Sequence, residues 1–104
     1  METVSGKYIL DPDGQPQLVE DVLEWARWLE TSNTERIVVQ TELDGDILIS
    51  TVFLALDHSF GRELQPILWE TMIFGGPHDG YQERYTSHAD AEAGHRRAVS
   101  LATT

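Results

Sequence analysis

His88, Glu92 and His95 stand at i, i+4 and i+7, so on a helix all three project from one side. Two imidazoles and a carboxylate are a ligand set for zinc or another transition metal. His95, however, also falls among Ala91, Ala98, Val99 and Ala102, the apolar stripe of the same segment. There, a buried imidazole bonded to a carbonyl or carboxylate accounts for it without a metal. Asp57-His58-Ser59 contains an acid, a base and a nucleophile. Working triads are assembled from distant segments, and no Gly-x-Ser-x-Gly elbow is present, so Asp57 and Ser59 are expected to bind loop amides. Glu70 lies on an otherwise apolar strand, where a carboxylate needs a partner such as Arg84 or His58, or a raised pKa. One reading of the chain is therefore a metal-binding protein or enzyme centred on His58, Glu70 and His95, with His88 and Glu92 as further ligands.

The charge balance favours a different reading. Eighteen Asp and Glu face seven Lys and Arg, a net charge of -11 over 104 residues. Such a surface steers basic partners and repels nucleic acid, whose phosphates demand clustered cations; the pair Arg96-Arg97 is too small a patch. Gly75-Gly76-Pro77 is not followed by Lys-Ser/Thr and is no phosphate loop. The absence of cysteine excludes disulfides and thiolate metal sites. No apolar run approaches the ~20 residues of a membrane span, and the start Met1-Glu2-Thr3-Val4-Ser5 lacks the apolar stretch of a signal peptide, so a cytoplasmic protein is expected.

These groups must be positioned by a single domain, residues 1–104. Tyr8-Ile9-Leu10 reads as an edge strand ending in the turn Asp11-Pro12-Asp13-Gly14. Leu18, Val22, Ala26 and Leu29 fall on one helical stripe, predicting a helix over 18–31 with Trp28 outside the stripe. It ends at Ser32-Asn33-Thr34. Strands are expected over 36–43 and 46–56, joined at Asp44-Gly45, then over 67–74 and 81–85, separated by the polar loop 57–63 and the turn 75–80. Ser87, with Asp90 three residues on, caps a last helix, in which Gly94 implies a close packing contact. The outcome is an α+β fold: an antiparallel four- to five-stranded meander with two helices packed on one face. The central strands are apolar on both faces, so the second face needs a cover, and a homodimer supplies one.

Three groups of segments carry a resemblance. They are Lys7-Tyr8-Ile9-Leu10-Asp11 with Leu23-Glu24-Trp25-Ala26-Arg27-Trp28; residues 50–60; and Trp69-Glu70-Thr71-Met72-Ile73-Phe74-Gly75-Gly76 with Arg84-Tyr85 and Ala91-Glu92-Ala93-Gly94-His95. Together they resemble a family of small acidic uncharacterised proteins of bacteriophages and prophage-bearing bacteria, over nearly the whole chain. The resemblance implies a host-cell setting in which such a protein acts on host or defence machinery. The expected function is thus occlusion of a basic protein surface, including that of a nucleic-acid-handling system, with no cofactor and no direct contact with nucleic acid or membrane. The expected contacts are Glu20, Asp21, Glu24 and Trp28 on the exposed side of the first helix, and Asp44 and Asp46 in the hairpin. Trp28 is included as an aromatic anchor beside charges.

Overall fold

The computed structural model describes residues 6–59, 62 and 64–104. Phe60, Gly61 and Glu63 of the expected loop 57–63, and the residues of the chain start up to Ser5, lie outside the described residues. The elements run β1 (Lys7–Leu10), β2 (Pro16–Val19), α1 (Val22–Thr31), α2 (Asn33–Arg36), β3 (Ile37–Leu43), β4 (Ile47–Phe53), β5 (Trp69–Phe74), β6 (Gln82–Tyr85) and α3 (His88–Ala102). The fold is α+β, with an antiparallel four-stranded meander β3-β4-β5-β6 beside a two-stranded hairpin β1-β2.

The first departure from the sequence reading is β2. Residues 16–19 pair with β1 (Lys7 opposite Val19, Tyr8 opposite Leu18), so Leu18 belongs to a strand and not to the helix. The cause is local. The Asp11 carboxylate accepts the Asp13 and Gln15 amides, both at 2.9 Å, and Gly14 takes φ 81°, which closes a tight turn and sends the chain back along β1. The helix then starts at its own cap, Asp21, whose carboxylate accepts the Leu23 amide at 2.9 Å. The stop expected at 32–34 instead opens the single turn α2. Strands expected over 46–56 and 67–74 are shorter, 47–53 and 69–74.

Alternation along β4 and β5 divides the sheet cleanly. Ile49, Thr51 and Phe53 stand opposite Ile73, Thr71 and Trp69, and all six are buried. This is the face that α3 covers with Ala91, Gly94, His95 and Ala98. α1 reaches the end of the same face, where Trp28 meets Phe53 edge to face at 5.9 Å. The opposite face carries Leu48, Val52, Met72 and Phe74, with Ile37 on β3. Ile37 and Phe74 are 41% and 46% exposed, on the side of the sheet away from α3.

Gly94 is where α3 lies on β6. A Cβ there would collide with the ring and hydroxyl of Tyr85, which is itself buried. Helix propensity alone would make Gly94→Ala stabilising by ~1 kcal/mol. Overpacking against Tyr85 should reverse the sign, with a net loss of ~1–3 kcal/mol in urea unfolding. A more stable Gly94→Ala protein would show that the helix does not sit this close.

Candidate functional site

The histidine and carboxylate candidates do not converge. Glu70 faces the open side of the sheet, opposite Val52 and Arg84, and accepts from Arg84 Nε at 2.9 Å and from the Gln82 amide. His95 lies beneath the other side, with both ring nitrogens held by hydroxyls: Nε2 to Thr41 Oγ1 and Nδ1 to Thr51 Oγ1, each at 2.8 Å. The sheet therefore separates Glu70 from His95, which corrects the proposed centre at His58, Glu70 and His95. His58 is tied by Nδ1 to the Leu56 carbonyl at 2.8 Å. His88 Nδ1 and Glu92 Oε1 lie 3.7 Å apart, both side chains about half exposed, whereas His95 is buried further along α3. Among the described residues no group of three or more His, Cys, Asp or Glu is arranged to hold a metal ion.

His95 is instead the hub of a buried polar chain. Thr51 bonds His95 and also Thr71. Beyond them, the Tyr85 and Tyr81 hydroxyls both donate to Glu83, which receives Arg97 at 3.0 Å. Whichever tautomer His95 adopts, one ring nitrogen donates to a threonine oxygen and the other accepts a hydroxyl proton. Burial holds its pKa below the ordinary 6.5. Burial, with Glu83 nearby, pushes Tyr85 up to about 12 against the opposing Thr71 bond. Asp57 behaves oppositely. Burial alone would raise it, but the Ser59 amide and hydroxyl, the Ile67 amide and the His58 charge together hold its carboxyl below the usual value.

The partner-facing candidates divide as well. Glu20, Asp21 and Glu24 are exposed, as expected. Trp28 is not an outward anchor: its ring packs on Phe53 as part of the core margin. Asp44 and Asp46 are exposed at the β3-β4 turn. Trp25 donates its indole N–H to the Ala55 carbonyl beyond the other end of β4. The two acid groups thus flank a seven-residue strand, about 20 Å long, and form two clusters.

What the sequence reading missed is the company the first cluster keeps. Leu18, Val22 and Leu23 are 61%, 57% and 64% exposed, interleaved with Glu20, Asp21 and Glu24. Val19, 8% exposed, anchors the segment from below. The signal was present in Asp21-Val22-Leu23-Glu24, which has the spacing of a capped helix start with an acid at its third position. Reading Asp21 as the cap puts Leu18 outside the helix and Val22 and Leu23 in its first turn. Next to this segment lies a cavity of about 550 Å³ between the β1-β2 hairpin and the start of α3, lined by Tyr8, Asp13, Pro66, Leu68, Trp69 and His88, among others.

No family model matches the chain, and neither a curated protein nor a solved structure matches it significantly.

The lowered pKa of His95 has a definite sign. As pH falls below 6.5 the unfolded chain takes up the proton before the folded one, so the stability that neutral His95 supplies is complete above 6.5 and lost as pH drops through the folded value. The thermal midpoint should fall between about pH 7 and about pH 5, and His95→Gln, which keeps two hydrogen-bonding atoms without titrating, should flatten that slope. An unchanged slope in the variant would assign the effect elsewhere.

Proposed function

We propose that this protein binds another protein, using residues 18–24 as a docking strip for a basic amphipathic segment. The observation that carries the reading is the exposure of Leu18, Val22 and Leu23 beside Glu20, Asp21 and Glu24. Exposed aliphatic side chains rimmed by charge mark interaction surfaces. Their acidic rim selects a basic partner, and the net charge of -11 speeds its approach. The resemblance noted in the sequence suggests that the partner is a host or defence protein with a basic groove, inhibited by occlusion.

The test uses a helical peptide of leucine and arginine, with a glutamate-for-arginine version as its control. Calorimetry should detect binding of the basic peptide alone, weakening about tenfold or more as salt rises from low to moderate. The paired change Val22→Ser and Leu23→Ser should cost ~1–3 kcal/mol of binding while leaving the fold intact, because both side chains are already in water. Affinity that follows salt but ignores these substitutions would reduce the surface to a diffuse charge and end the docking proposal.

A second surface supports self-association. The open side of the sheet presents Leu48, Val52, Met72 and Phe74, and its strands place only Glu42, Glu70 and Arg84 there as charged residues. For a chain this acidic, that near-neutral face is where a second copy meets least repulsion. Light scattering should give twice the chain mass, and Met72→Glu should restore the single-chain mass; a monomer at all concentrations would remove this proposal.

A further inference from the structure

We propose that the cavity beside Trp69 receives a cationic side chain, the arginine or lysine of the docked segment; the inference rests on reading residues 18–24 as a docking strip. The two features adjoin. Tyr8 lines the cavity and stands directly across the hairpin from Leu18, so both side chains project from the same face of β1-β2. A chain lying on Leu18 therefore passes close to the cavity.

The lining has the chemistry of a cation receptor. Tyr8, half-buried, supplies aromatic surface in front of Trp69, of which only 4% is exposed, and Asp13 supplies a carboxylate at the hairpin tip. The Asp13 side chain is not engaged in shaping its turn; that is done by Asp11, which accepts the Asp13 backbone amide. Among the described residues no lysine or arginine lines the cavity, and the chain's negative charge raises the local concentration of cations. At about 550 Å³ the space accommodates a long side chain with its neighbouring peptide group. Gln15, Gln65 and Thr86 offer neutral polar atoms to that peptide group. The wall formed by the start of α3 has the opposite preference, since a helix start attracts anions. There, Ser87 already caps the Asp90 amide at 3.0 Å. The sign of the preferred ligand decides between the two walls.

The whole protein, labelled with nitrogen-15, would be titrated with three probes: N-acetyl-arginine amide, its uncharged isostere N-acetyl-citrulline amide, and acetate. The arginine probe should give saturable shifts of the Trp69 indole and of the Asp13, Gly14 and His88 amides, with citrulline about fivefold weaker or more. Asp13→Asn should weaken the arginine probe about fivefold. Leu23→Ser should leave it unchanged, since that residue belongs to the strip alone. Equal binding of citrulline, saturable binding of acetate at these residues, or indifference to Asp13→Asn would each overturn the proposal. If the arginine probe fails while the basic peptide still binds through Val22 and Leu23, the cavity assignment falls and the docking strip stands. If the peptide fails as well, both fall.

Discussion

The carbonyl of Ala55 ties the two halves of the molecule together. It accepts the Tyr8 amide at 2.9 Å and the Trp25 indole N–H at 2.9 Å, so β1 and α1 are both fastened to the chain just beyond β4. The Leu56 bridge to Lys7 and the bond from the Asp57 amide to the Gly6 carbonyl continue the seam. Ala55 adopts φ 67°, a left-handed conformation that costs a non-glycine residue ~1–2 kcal/mol. The two hydrogen bonds that its carbonyl accepts, ~1 kcal/mol each, offset it. Without this turn, the hairpin would have no fixed place against the β5 approach. The cavity and the strip would then lose their common frame.

Polar residues in the centre of the sheet follow a similar rule, in which every buried group is satisfied before it is tolerated. Thr51 and Thr71 are fully buried between β4, β5 and α3, positions that aliphatic residues would fill in most sheets. They are held there because His95 and the two hydroxyls bond one another, and no buried side-chain nitrogen or oxygen among the described residues is left without a partner. Such a network fixes the register of α3 on the sheet, since sliding the helix by one residue would bury unpaired hydroxyls. The same arrangement accounts for the failure of the histidine–glutamate centre. A strand that points Thr71 at His95 must point Glu70 the other way.

The legible parts of the sequence were those governed by local chemistry. Asp44-Gly45 marked the β3-β4 reversal, Ser87 with Asp90 marked the start of α3, and Gly94 marked a close approach that Tyr85 fills. The first helix misled because Leu18 fits a 3.6-residue stripe by coincidence, while the Asp11 turn and the Asp21 cap, both short-range, outweigh periodicity there. Trp28 was misplaced for the same reason. With the helix starting at Val22 and tethered through Trp25, the residue one turn on faces Phe53. The cavity had no sequence signal, because Tyr8, Asp13, Trp69 and His88 meet only through long-range pairing.

Where the acids sit limits what charge alone can do. Opposite ends of β4 separate the hairpin acids Asp44 and Asp46 from Glu20, Asp21 and Glu24 by about 20 Å, beyond the ~8 Å over which exposed charges act at physiological salt. A single short basic segment cannot be gripped by both clusters at once. If the protein docks a basic partner as proposed, the hairpin acids add to the long-range field that draws it in, without choosing where it lands. In the proposed docking, that choice would fall to features that charge does not supply: three exposed aliphatic side chains and the cavity beside them.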